Sequence, residues 1–245
     1  MVHQITSFTD SVDAWKQWSL VDFTFRSECL LSLCEQVHHI PEFESALLTD
    51  VIRYHIQHSA RLVENPHELL GPTGESNQLY CMGRGVSLLI FDDSAHESVD
   101  RTQKYSAYQA FIALLSTSIL AGNAVVICCN NEDLNRTLAS ALHVASFPIN
   151  LIQIRPLEDS FSFAQEDIAS VGYIGNSVVE QRLNIHLAQR KGAIINLVSE
   201  TCWDRPLICY DPNLALHFMT ERTCTINTTA VGGNTTLLEL GAAED

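Results

Sequence analysis

The sequence predicts an α/β protein built on a doubly wound parallel sheet, and three observations carry that prediction. Short runs apolar at consecutive positions recur along the chain: VSLLIF at 86–91, AVVIC at 124–128 and AIINLV at 193–198. Strands that do not alternate between apolar and polar residues are covered on both faces, as parallel strands are. Between the runs lie segments with helical start and stop signals, so strand and helix alternate.

The first forty residues hold two candidate helices. In RSECLLSLCEQV (26–37), Cys29, Leu30, Leu33, Cys34 and Val37 recur at three and four and make one apolar stripe. Pro41 opens the next, in which Phe43, Leu47, Val51, Tyr54 and Ile56 give a looser face until Asn65 and Pro66 stop it. GPTGESNQLYCMGRG (71–85) reads as a loop from its Gly, Pro, Ser and Asn content. The strand at 86–91, a helix from Arg101 to Leu120 and the strand at 124–128 follow. Asn131 caps a helix whose first turn carries Glu132 and Asp133, matching the macrodipole, and whose Leu134, Leu138, Ala141, Leu142 and Ala145 face inward. Strands are expected at 150–154 and 168–174. Ser177 and Glu180 have capping-box spacing for the next helix, which Lys191 and Gly192 close before the strand at 193–198. The β-branched alternation of TCTINTTAV (223–231) predicts an extended C-terminal strand. Three segments are expected: helices over 1–66, a Rossmann-like domain over 67–212, and a β tail over 213–245.

At 245 residues the chain can bury roughly three quarters of its unfolded surface. A net charge of −15 without clustered Lys and Arg argues against a nucleic-acid partner. MVHQITSFTD has no basic start leading into an apolar run, so a reducing, cytoplasmic compartment is expected. The eight cysteines then read as free, mostly buried thiols, and the sequons at Asn135, Asn227 and Asn234 as incidental. The greasy run from Ala107 to Cys129 has the length of a membrane span, but its AGN turn fits a buried helix followed by a buried strand.

Chemistry is harder to place. FDDSAHES follows the first sheet strand and sets Asp92 and Asp93 where a cofactor phosphate would meet like charge. The G-x-G of Gly83 and Gly85 precedes that strand instead of following it. Gly175, in YIGNSVVE, lies at a strand-to-helix junction and is a weak candidate ligand contact. Cys202 follows Glu200, a carboxylate that disfavours the thiolate an attack needs, and Cys128 and Cys129 have only apolar residues and Asn beside them. Glu35 with His38 and His55 with His58 have i, i+3 spacing, yet without a second carboxylate set they read as exposed or partly satisfied histidines. No catalytic, cofactor or metal residue is therefore assigned.

GPTGESNQL (71–79), RGVSLLI (84–90), the helix into LAGNAVV, YIGN and LVSET, in that order, resemble the cofactor half of the aldehyde dehydrogenase superfamily. ERTCTINTTAVGGNTTLLELG (221–241) is similar to the end of proline utilization A, the bifunctional enzyme of bacterial proline catabolism, and GPTGESN resembles another segment of its C-terminal region. The resemblance spans roughly Glu42 to Gly241. It implies that a cofactor-gripping lysine is replaced by Cys128, and an oxyanion-supporting segment by Asp92, Asp93 and Ser94. It also implies Asn176 in place of a serine, and Cys202 and Trp203 in place of paired glycines, while Glu200 stands at a general-base position as a relic. The domain bearing the nucleophilic cysteine is expected after Glu200, where about forty-five residues remain. By the same resemblance the chain is a non-catalytic C-terminal domain of a parent that uses FAD and then NAD. It would pack on the catalytic aldehyde dehydrogenase domain of the same polypeptide and help enclose a substrate channel. Thr228, Thr229, Gly232, Gly233 and Asn234 are the expected interdomain contact, and Leu237, Leu238 and Leu240 favour docking over a frayed end. The alternatives are an NAD(P)-dependent oxidoreductase completed by an oligomer partner, and a stand-alone oligomerisation or regulatory module.

Overall fold

The computed structural model describes residues 7–37, 45–72, 74–95 and 100–227. Three helices come first: α1 (Phe8–Trp18), α2 (Phe23–Val37) and α3 (Ser45–Val63). Two strands follow, β1 (His67–Leu69) and β2 (Glu75–Gly83). Then comes the alternating body: β3 (Val86–Phe91), α4 (Arg101–Leu120), β4 (Ala124–Cys129), α5 (Glu132–Val144), β5 (Ile152–Arg155), α6 (Ser160–Phe163), β6 (Ser170–Ile174), α7 (Ser177–Ala188) and β7 (Asn196–Glu200). A last strand, β8 (Met219–Asn227), ends the described chain.

Strands β3 to β7 form one parallel sheet in the order β5-β4-β3-β6-β7. Counted within the sheet, this is the Rossmann order 3-2-1-4-5, with its switch point between β3 and β6. Every residue of β3, β4 and β6 is buried, which is why their sequences do not alternate. Helix α4 starts from a capping box, Asp100 Oδ1 accepting from the Gln103 N–H at 2.8 Å and Gln103 Oε1 from the Asp100 N–H at 3.1 Å. From Ala110 to Leu120 it is buried on all sides, because α3 covers what the sheet does not. Among the described residues no helix is long and apolar enough to cross a membrane.

The turn Ala121-Gly122-Asn123 is where α4 enters β4, and three elements converge on it. Gly122 has φ +94°, a region that favours glycine, and a side chain there would strike the Arg26 guanidinium at 2.7 Å. A side chain on Gly83 would meet the Gly122 carbonyl at 2.5 Å, so the G-x-G preceding β3 serves close backbone packing. Arg26, on α2, donates to Leu120 O at 2.9 Å, Ser19 O at 3.1 Å and Trp18 O at 3.3 Å, filling acceptors at the ends of α4 and α1. Burial lowers its pKa to about 10, against a smaller opposing effect of Asp22. Asn123 is fully buried and satisfied: its carboxamide accepts from Gly85 N at 3.0 Å and donates to Ser118 O at 3.0 Å and Phe218 O at 2.7 Å. Beside it the hydroxyls of Ser87, Ser118 and Ser170 bond to one another, at 2.8 Å for Ser87 with Ser170 and 2.9 Å for Ser118 with Ser87.

Some elements differ from the sequence reading. The segment at 71–85 is not a loop: most of it is β2, which pairs antiparallel with β1 and, over its whole length, with β8, from Gly83 opposite Met219 to Glu75 opposite Asn227. The helix after β6 is capped not by Ser177 but by Asn176, whose Oδ1 accepts from the Val179 N–H at 2.8 Å. Glu180 turns away from that role and takes the Ser199 hydroxyl. Strand β7 begins at Asn196, not at residue 193, and Ile194 is almost fully exposed. His55 is not exposed: it is 1% accessible and its Nε2 meets Cys209 O at 2.9 Å, so it carries the proton there. Cys202 and Cys224 are exposed free thiols, whereas Cys29, Cys34, Cys128, Cys129 and Cys209 are buried ones. Pro41, Phe43 and His38 lie outside the described residues.

Candidate functional site

In a doubly wound sheet a ligand lies across the carboxyl ends of the strands at the switch point, here where β3 gives way to Asp92 and β6 to Gly175. The backbone joins the two ends directly, Asp92 N donating to Ile174 O at 2.9 Å. Asp92 is only 9% accessible; its Oδ1 accepts from the Ser94 hydroxyl at 2.7 Å. Asp93 takes the Asn131 amide at 2.7 Å, and that amide also reaches Tyr108 Oη at 3.1 Å. The side-chain oxygen of Asn131 caps α5 on Leu134 N at 2.8 Å. Asn130 closes the same edge against the loop after β5, accepting from Leu157 N at 2.9 Å and donating to Glu158 at 3.0 Å.

Gly175, the weak ligand candidate, has another reason to be glycine. The buried Tyr173 ring lies against it: a side chain on Gly175 would come within 2.2 Å of Tyr173 Oη. That hydroxyl donates to Asn176 O at 3.2 Å, and Gly175 N is spent on Glu200 O at 3.3 Å. The first turn of α7, whose free N–H groups would suit a pyrophosphate, is capped by its own Asn176 and carries Glu180. Burial, reinforced by Asp92, pushes the Tyr173 phenol well above its ordinary range.

The thiols at this edge are inert. Cys128, at the position where the resemblance implies a lysine, is fully buried; burial foremost, then Asp159, pushes it up to about 12. Cys129 is also pushed up to about 12, mainly by burial and against a hydrogen bond from Asn131 N. Cys209 reaches about 12 by burial and the nearby Glu200. Thiols held this high are not nucleophiles at neutral pH.

Glu200 and Trp203 hold the loop that leaves β7. The buried Glu200 carboxylate accepts three backbone N–H groups, from Cys202 at 3.0 Å, Leu207 at 2.6 Å and Ile208 at 3.4 Å. Trp203 lies parallel to Phe91, centroids 6.4 Å apart, and is 4% accessible. A carboxylate committed to three amides is a structural acceptor, a role the sequence reading missed because only the path of the loop reveals it. Among the described residues no group of His, Cys, Asp and Glu is placed to hold a metal ion.

These residues do not fit a dinucleotide. A phosphate would meet Asp92, Asp93 and Glu180, a first turn of α7 already capped on the Val179 N–H by Asn176, and no lysine at the end of β4. The space at the switch point is a small cleft of about 280 Å³, walled by Ile90, Leu157, Val179 and Leu183.

The second feature with functional bearing is the arm. β2 and β8 pair over nine residues, with their Gly83–Met219 end packed on the body and β8 exposed from Glu221 to Asn227. β8 is the outer strand of its sheet, in the order β1-β2-β8. Thr228, Thr229, Gly232, Gly233 and Asn234 follow directly after it and lie outside the described residues.

No family model matches the chain, and no curated protein does. Solved structures do. A variant of proline utilization A from Bradyrhizobium japonicum aligns with a TM-score of 0.66 and 22% identity, over 79% of this chain and 21% of that one. Proline utilization A from Bdellovibrio bacteriovorus, inactivated by N-propargylglycine, gives 0.64 and 16% over 79% and 22%. An NAD-dependent benzaldehyde dehydrogenase from Corynebacterium glutamicum gives 0.61 and 16% over 78% and 43%. The fold is therefore aldehyde-dehydrogenase-like, and the chain spans about a fifth of the length of the proline utilization A structures.

Proposed function

We propose that this chain acts as a non-catalytic domain of a proline-catabolic bifunctional enzyme, one that oxidises proline with FAD and then glutamate semialdehyde with NAD. It supports the second active site and helps close the route between the two, through the arm and the segment that follows it, Thr228, Thr229, Gly232, Gly233 and Asn234 included. The chain itself binds neither cofactor. The observation that carries this reading is the contrast at the switch point: the edge where a dinucleotide would lie is acidic and self-capped, with Tyr173 against Gly175. Glu200, its carboxylate committed to three backbone amides, supports a structural role at the position of a general base. The arm offers a partner what the sheet edge does not, an exposed strand that is outermost among the described residues.

The test uses the natural polypeptide that carries this chain. Removing residues 221–245 is expected to cut proline-dependent NADH formation by an order of magnitude or more, while proline oxidation measured with an artificial electron acceptor is unchanged. Unchanged NADH formation would sink the proposal. Titration of the chain with NAD is expected to give no binding; a Kd in the micromolar range, about −8 kcal/mol, would favour an oxidoreductase completed by a partner. Self-association of the chain that disappears with residues 221–245 would favour an oligomerisation module.

A further inference from the structure

The cleft between β3, β6, α6 and α7 has a wall chemistry opposite to that of a nucleotide site. Ile90, Val179 and Leu183 make it apolar, Phe161 stands half exposed at its mouth, and Tyr173 and Asp92 supply its polar groups inside. No Lys or Arg lines it, and Glu158 adds a second carboxylate at the rim. Among the described residues Asp92 Oδ2 accepts no hydrogen bond, Oδ1 alone being engaged by Ser94. That oxygen belongs to a carboxylate only 9% accessible that lines the cleft, where it can accept from an entering cation or donor. At about 280 Å³ the cleft stands at the lower end of small-molecule sites, which run from roughly 300 Å³ upward, and takes one ring rather than a dinucleotide.

We propose that this cleft binds a small organic ammonium ion: a primary or secondary amine carrying one ring or a short branched chain, its N–H groups on Asp92, its body against Leu183 and Val179. Each part of the ligand answers a part of the wall. The ammonium supplies the donors that Asp92 Oδ2 lacks, while the buried Tyr173 phenol is already spent on Asn176 O. Phe161 at the mouth offers its ring face to the cation on entry. An anion of the same shape is excluded by Asp92 and Glu158 together. The inference is independent of the role proposed above: a chain that bound no amine could still brace a neighbouring active site.

Three probes of one shape decide it. The full chain is titrated at neutral pH with benzylamine, benzyl alcohol and benzoate, followed by the backbone amide NMR signals. Benzylamine is expected to shift Tyr173, Leu183 and Phe161 saturably, with an affinity at least about tenfold better than the alcohol, the size of one charge-assisted hydrogen bond. Benzoate is expected to leave them unmoved. Asp92→Asn should reduce benzylamine to the level of the alcohol, and the comparison on the unaltered chain stands even if that variant misfolds. Equal binding of amine and alcohol, binding of benzoate, shifts mapping elsewhere, or no saturable shift with benzylamine would each overturn the proposal.

Discussion

The two edges of the parallel sheet are made of the same strands and differ in what meets them. At the amino edge, Arg26, Asn123, Gly83 and the three serine hydroxyls knit α1, α2, α4 and β4 into one network, most of its bonds joining groups far apart in sequence. At the carboxyl edge Asn130 and Asn131 also tie loops together, reaching Glu158, Leu157, Asp93 and Tyr108, but many polar groups are spent on their own helix or loop. Asn131 and Asn176 cap their own helices, Ser94 bonds Asp92 two residues away, and Glu200 gathers amides from the loop it begins. In a dinucleotide-binding sheet the carboxyl edge presents unspent donors to a ligand. Here both edges hold structure, and the difference is one of emphasis: stapling of distant elements dominates on one side, helix capping and loop closure on the other.

The comparison can be broken most sharply at Cys128. If the carboxyl edge were a cofactor site lacking only its lysine, Cys128→Lys would create affinity for NAD. The structure predicts instead a loss of about 4 kcal/mol in unfolding free energy, because the ammonium would be placed in a fully buried position, with no gain of nucleotide binding. Urea unfolding and an NAD titration of the same variant check both halves. At the amino edge, Arg26→Met keeps the apolar stem and removes three hydrogen bonds, and is expected to cost about 3 kcal/mol. Its effect should exceed that of any single cap substitution at the other edge. A smaller loss, about 2 kcal/mol, is expected for Glu200→Gln, which leaves at least one buried amide without its acceptor. A stability unchanged by that substitution would return Glu200 to consideration as a chemical group.

The smallest effect is a pH dependence. The loop that Glu200 gathers is held from its far side by His55, whose pKa burial lowers from 6.5 to about 4, against the opposing Cys209 carbonyl and Asp211. The unfolded chain therefore binds a proton on this histidine below pH 6.5 that the folded chain refuses until about pH 4. Its contribution is present above the unfolded value and is lost as pH falls through that window. Between pH 7 and pH 5 this amounts to somewhat under about 2 kcal/mol. His55→Gln should flatten the stability profile over that interval, and an unchanged slope would refute the assignment.

The parallel core was legible in the sequence because its strands are apolar on both faces and its helices carry their own start signals. VSLLIF and the helix from Arg101 to Leu120 are read correctly from residues alone. Strand β2 was not, because its residues are half-buried, include Ser and Asn, and take their pairing from Met219 to Asn227, well over a hundred positions away. The negative character of the switch point was legible in Asp92 and Asp93. The reason Gly175 is glycine was not, since it depends on where the Tyr173 ring falls. Likewise Arg26 reads as one more charged residue on a helix until α4 is seen to end beneath it.

The pairing of β2 with β8 also orders the events of folding. During synthesis β2 emerges before β8 and can find only the three residues of β1, while the partner for its other side follows more than a hundred residues later. Contacts of such separation close late, after the sheet between them has formed. Until then, nine residues of strand stand with one side unsatisfied, and a chain cut short before Met219 would keep them so, open to pairing with another molecule.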